Sequence, residues 1–206
     1  MFPTFGAIAP LRAYWEILRT RKTWLLVDES HSFGVLGATG RGALEREGVK
    51  GDRIIAGGSL GKAFCAYGGL AVGSKRAIDL LWTSPAARGA ASGMSSGASM
   101  ADASMRLLRK QPDRLNKLRA NVASLKAQLR DLGLSIDDNE APLATFVAGT
   151  AREMKALQAD LYAEGIYVIY TNYVGAGAEG AIRCAIFADH EPQHLTRLVS
   201  AIRKRL

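Results

Sequence analysis

Apolar positions recur along the chain at two periods, one suited to helices and one to strands. Pro10 precedes Leu11, Tyr14, Trp15, Ile17 and Leu18, whose spacing predicts a short amphipathic helix opened by proline. Residues 23–27, Thr-Trp-Leu-Leu-Val, form a nearly continuous apolar run, as expected of a strand buried on both faces. Residues 53–56 and 69–72 predict further short strands, and residues 75–82 a helix. Alternation of strand and helix predicts an α/β layer. Residues 83–99 turn to Ser, Ala and Gly and match neither period. Helical spacing resumes at about residue 100 and runs to about 132, broken near Pro112 and capped by Gly133. The remainder predicts strand 144–148, helix 151–164, strand 166–170, strand 181–187 and helix 192–205. The expected organisation is a large-domain portion over residues 1–109 and a smaller α+β domain over 110–206.

At 206 residues, with 48% hydrophobic and 22% charged positions, the chain can bury an ordinary globular core. No apolar run is long enough to span a bilayer. The first ten residues lack the basic start of a signal peptide. Two cysteines, Cys65 and Cys184, make no disulfide framework and suit a reducing cytosol, so a cytoplasmic protein is expected. The net charge of +8 is concentrated in helical stretches such as residues 106–110 and the C-terminal residues, where a solvated helix face accounts for it. Aromatic residues are not interleaved with the basic ones, so no nucleic-acid partner is expected.

Two segments read as chemistry. The run ending at Val27 is followed by Asp28-Glu29-Ser30-His31, an acid and a histidine at the carboxyl end of a strand, where open α/β sheets place their ligands. The second is Gly57-Gly58-Ser59-Leu60-Gly61-Lys62-Ala63-Phe64, one lysine among glycines and apolar residues. A pyridoxal phosphate (PLP) enzyme needs a Schiff-base lysine and a carboxylate for the pyridinium nitrogen. The charge-assisted bond from that carboxylate is worth about 1.5–3 kcal/mol. Apolar surroundings would favour the neutral amine that attacks an aldehyde. Taken singly, Asp28 could instead cap the next turn, His31 could be a packed or exposed histidine, and Lys62 a surface charge.

A nucleotide hydrolase is the rival, because Leu-Leu-Val-Asp-Glu-Ser-His resembles a Walker B strand. The companion P-loop requires Gly-x-x-x-x-Gly-Lys-Ser/Thr. Ala56 occupies the first glycine position and Ala63 follows the lysine, so the rival fails at two positions.

With Val27-Asp28-Glu29-Ser30-His31-Ser32-Phe33-Gly34, Gly37-Ala38-Thr39-Gly40-Arg41-Gly42, Ser59-Leu60-Gly61-Lys62-Ala63-Phe64, Gly68-Gly69 and Ile182-Arg183-Cys184 in view, the chain resembles the α-oxoamine synthases. These are PLP enzymes of fold type I, including 8-amino-7-oxononanoate synthase and serine palmitoyltransferase. The resemblance implies decarboxylative condensation of an amino acid with an acyl-CoA in a homodimer. It also implies roles: Lys62 carries the cofactor and moves the substrate α-proton, Asp28 holds the pyridine nitrogen, and His31 is catalytic too, bonding the cofactor oxygen and assisting the acyl intermediate. Ser59 joins the cofactor site. Arg183 binds the amino-acid carboxylate, for which its planar fork is suited; a surface salt bridge is the alternative.

Departures accompany the resemblance. Pro3 stands where a cofactor-facing serine is usual, leaving Thr4 to supply the hydroxyl. The hydroxyl for the partner subunit's phosphate falls to Ser92, Ser95 or Ser96, with Ser92 chosen. The resemblance covers only the C-terminal half of the family's length, so the 206 residues alone are expected to be inactive. An aminotransferase of the same fold and a non-catalytic gene fragment are the alternatives.

Overall fold

The computed structural model describes residues 1–85, 87 and 93–206. They divide into two compact units, one of Met1 with Ala9–Pro112 and one of Phe2–Ile8 with Asp113–Leu206.

In the first unit, α1 (Leu11–Leu18) leads to β1 (Leu25–Asp28), α2 (Ala43–Glu47), β2 (Ile54–Ser59), β3 (Gly69–Gly73), α3 (Lys75–Thr83) and α4 (Ser95–Lys110). The sheet order is β1-β2-β3. β1 runs parallel to β2 with Asp28 opposite Gly57, and β3 returns antiparallel with Gly69 opposite Ser59. Both carboxyl ends, after Asp28 and after Ser59, therefore open at one edge of the sheet.

β1 departs from the expectation of burial on both faces, since Leu26 is 70% exposed. Among the described residues it pairs only with β2, and an edge strand is less completely covered. Below the other strands, Phe33, Ala56, Leu60, Phe64, Ala66 and Ala101 form one apolar cluster. α4 starts at Ser95, earlier than its composition suggests. Gly97 explains the early start, because a Cβ there would lie 2.6 Å from the Tyr67 carbonyl oxygen. Only glycine allows the helix so close.

The second unit contains α5 (Asp113–Arg130), β4 (Leu143–Phe146), α6 (Ala151–Ala163), β5 (Ile169–Thr171), β6 (Ala181–Ala185) and α7 (Pro192–Arg203). Its antiparallel sheet has the order β4-β6-β5. Leu125, Leu129, Met154, Leu161, Ile182 and Ile202 are buried there, each worth about 1.5–3 kcal/mol on transfer from water. The helix expected over 151–164 starts with a capping box, in which Thr150 and Glu153 satisfy one another's backbone N–H groups. The expected strand 166–170 forms later, at β5, because residues 162–166 close the end of α6: Gly165 takes a left-handed φ of 74° and its N–H donates to Tyr162.

Candidate active site

The acid segment is held by the residue beside the acid. Glu29 is fully buried, and its carboxylate accepts the backbone N–H groups of Ala43 at 2.8 Å and Leu44 at 2.9 Å. It also accepts the Ser32 hydroxyl. These bonds satisfy the first free N–H groups of α2 and pin residues 28–33 against it. On its other side the Glu29 N–H donates to the Gly57 carbonyl at 2.7 Å. Gly42 completes the fit: it has a φ of 100°, and a Cβ there would meet the Glu29 carboxylate at 2.7 Å. Sequence reasoning placed Glu29 in the motif without giving it a task. A carboxylate next to a strand end, followed by a glycine turn, was the available signal.

Asp28 itself is exposed at the carboxyl end of β1. Its Oδ1 accepts the Ser30 N–H at 2.8 Å. Hydrogen bonds from the Ser30 side chain and backbone hold its carboxyl below the usual range, partly opposed by burial, and the charges of His31 and Lys62 act in the same lowering direction. Asp28 is therefore ionised near neutrality and lies within the field of both other candidate residues. His31 is partly buried in the turn that follows.

Lys62 lies in the nine-residue connection from β2 to β3. Leu60, Phe64 and Ala66 are buried in the cluster below, and Gly61, Lys62 and Ala63 remain exposed. The Ser104 hydroxyl donates to the Phe64 carbonyl at 2.8 Å, tying the turn to α4. Lys62 is thus presented on a turn anchored on both sides. The apolar enclosure expected around it is not formed by these residues, because its immediate neighbours are small and face outward. The turn also disposes of the P-loop geometrically, since the segment after Lys62 leads into a strand and not a helix.

Ser59, partly buried at the end of β2, donates its N–H to the Ser30 hydroxyl at 2.9 Å. Its own hydroxyl accepts the Gly61 N–H at 3.1 Å. Asp28, His31, Ser59 and Lys62 are therefore brought to one sheet edge. Ser92 lies outside the described residues. Ser95 and Ser96 are exposed in the first turn of α4.

Two sequence expectations fall in the second unit. Thr4 does not offer a free hydroxyl: it is buried, and its Oγ1 donates to the Val174 carbonyl at 2.6 Å. Its carbonyl accepts the Thr145 hydroxyl at 2.6 Å, so both polar groups are committed locally. Arg183 lies mid-strand on β6, opposite Thr145 and Ile169. Ile182 and Cys184 are buried on the other face of the pleat. The Arg183 Nε is buried without a hydrogen-bond partner, and Arg183 forms no ion pair among the described residues. An orphaned buried donor costs about 1–3 kcal/mol.

The chain is similar to known proteins in sequence and in fold. An 8-amino-7-oxononanoate synthase of Methylococcus capsulatus is 32% identical over 98% of this chain and 53% of its own length. One from Thioalkalivibrio sulfidiphilus is 33% identical over 98% and 52%. The chain thus spans about half the length of the curated relatives it matches. Its fold matches a serine palmitoyltransferase of Sphingomonas wittichii with a TM-score of 0.88, at 24% identity over 98% of this chain and 51% of that one. An 8-amino-7-oxononanoate synthase of Francisella tularensis gives a TM-score of 0.85 at 22% identity, over 98% and 59%. These likenesses agree with the expected α/β architecture of fold type I. The profile described as "Aminotransferase class I and II" matches residues 3–202. With the acid at the end of β1, the lysine after β2, and a family match running almost end to end, the chain belongs to the aminotransferase class I and II family.

Proposed function

We propose that these 206 residues carry the lysine-bearing part of a PLP-dependent α-oxoamine synthase, which condenses an amino acid with an acyl-CoA and releases carbon dioxide. The observation that carries the reading is the placement of Asp28 at the end of β1 and of Lys62 in the turn after β2, on strands paired in register at Asp28 and Gly57. The donor set fits the cofactor: an ionised exposed carboxylate suits a protonated pyridine nitrogen, and an outward-facing lysine on an anchored turn suits attachment to an aldehyde. When bound, PLP supplies an electron sink for the substrate α-carbon.

The chain's own residues divide the remaining work. Asp28 would hold the protonated pyridine nitrogen by charge and hydrogen bonding. Lys62 Nζ would hold the cofactor and would move the substrate α-proton. His31 would bond the cofactor's phenolic oxygen and act as acid/base, and Ser59 would help hold the cofactor. Ser92 would contribute the hydroxyl that reaches the partner subunit's phosphate. Arg183, with its unpartnered Nε, takes the amino-acid carboxylate. The protein works in the cytoplasm as a homodimer, and the 206 residues alone are inactive. Among the described residues no helix is long and apolar enough to cross a membrane.

The relatives named as 8-amino-7-oxononanoate synthases support this over an aminotransferase. A polypeptide that includes these residues, given amino acid and acyl-CoA, is expected to release carbon dioxide and free thiol together. Amino transfer to a keto acid without either product would overturn the proposal.

A further inference from the structure

Ser30 lies between the acid and the histidine, and its bonds run in two directions. Its N–H donates to Asp28 Oδ1 at 2.8 Å. Its hydroxyl oxygen accepts the Ser59 N–H at 2.9 Å. A serine hydroxyl has one proton to donate and two lone pairs to accept with. With the Ser59 N–H on a lone pair, the hydroxyl ties Ser30 to the end of β2 while the Ser30 N–H holds Asp28. From Ser59 the connection continues, because the Ser59 hydroxyl accepts the Gly61 N–H at 3.1 Å and Gly61 immediately precedes Lys62.

The backbone is shaped around these bonds. A Cβ on Gly58 would fall 2.6 Å from the Ser30 nitrogen and 2.9 Å from its Cα, so β2 can approach Ser30 this closely only as glycine. The Asp28–Gly57 register brings the two strand ends level. Ser30 is the bridge between them.

We propose that Ser30 is a positioning residue whose hydroxyl sets the alignment of Asp28 relative to the turn that presents Lys62. The proposal rests on the reading of Asp28 and Lys62 as the two ends of one cofactor site and deepens it. Ser30 touches neither substrate nor cofactor in this role. It acts through Asp28 on one side and through Ser59 and Gly61 on the other. Chains of hydrogen bonds polarise one another, so a change at the carboxylate is felt along the line.

The test uses the 206-residue chain with Ser30→Ala and Ser30→Thr, and follows the Asp28 side-chain carboxyl by carbon NMR as pH is varied. Ser30→Ala is expected to move the Asp28 titration upward toward the ordinary carboxylate value and to speed Gly61 amide exchange. Ser30→Thr, which keeps the hydroxyl, is expected to restore both. A lower melting temperature with an unmoved Asp28 titration would mark Ser30 as packing only and overturn the proposal. Should Ser30→Ala not fold, the unaltered chain still decides. Its Ser59 amide resonance is expected to titrate with Asp28, and an amide indifferent to Asp28 overturns the alignment role. None of these readouts needs a cofactor. Failure of borohydride to fix PLP on Lys62 would count against the cofactor site itself, separately from Ser30.

Discussion

Glu29 Oε2 accepts the Ala43 backbone N–H at 2.8 Å, joining the end of the acid strand to the first turn of a five-residue helix. So short a helix has little stability of its own, and much of what holds it is this buried carboxylate. Glu29→Ala is expected to destabilise the chain by about 1–3 kcal/mol, because it orphans buried N–H groups. Gly42→Ala, which forces a Cβ onto the same carboxylate at a positive φ, is expected to cost on the order of 1–3 kcal/mol. Urea denaturation midpoints check both; unchanged midpoints would show that the pin is dispensable.

Thr4 and Val174 give a prediction that separates structure from cofactor binding. Thr4→Val removes the buried bond to the Val174 carbonyl and is expected to cost about 1 kcal/mol. PLP retention is expected to stay as in the unaltered chain, because the hydroxyl is already committed. Loss of PLP without loss of stability would return Thr4 to the cofactor.

His190 supplies a pH dependence. Burial, then the neighbouring His194, lowers its pKa below the usual 6.5, and Asp189 partly opposes the shift. Its Nδ1 accepts the Phe187 N–H at 3.3 Å, a bond that needs the unprotonated nitrogen. A base with a lowered folded-state pKa binds more protons when unfolded, so stability rises with pH through this window. The contribution is present above about pH 6.5 and is lost as the pH falls from there through the folded value. Denaturation midpoints between pH 8 and pH 5 are expected to fall, and less steeply in His190→Gln. Parallel slopes in the two proteins would remove His190 as the cause.

The helices and strands with clean periodicity were legible in the sequence. Residues 11–18, 54–56, 75–82 and 151–163 formed where the pattern predicted them, and Pro112 separated α4 from α5 as expected. α2 was not visible, since five residues are too few to show a period and its holding carboxylate lies 14 residues upstream. The start of α4 was hidden by small residues whose helical state depends on the contact of Gly97 with Tyr67. At the site, the motifs identified Asp28, His31, Ser59 and Lys62 as a group, and the sheet register brought them to one edge. The bonds from α2 to Glu29 and from Ser59 to Ser30 were not legible, because both cross between segments far apart in the chain. Asn121 was missed for the same reason: buried on α5, it donates to the Phe187 carbonyl at 2.9 Å and the His190 carbonyl at 2.8 Å.

Arg183 carries the prediction about substrate. Arg183→Lys keeps the charge but loses the planar fork, and is expected to weaken amino-acid binding roughly tenfold or more while leaving PLP binding nearly unchanged. Equilibrium titrations with amino acid and with PLP in a polypeptide containing these residues make the comparison. Equal losses of both would assign Arg183 a structural role.

The central claim is that Lys62 is the lysine that carries PLP. Its most direct test is borohydride reduction after addition of PLP, followed by peptide mapping of the modified lysine. The account predicts a pyridoxyl group on Lys62, and its loss in Lys62→Ala with no transfer of the label to another site. A label on a different lysine with Lys62 unmodified, or no label at all, would contradict it.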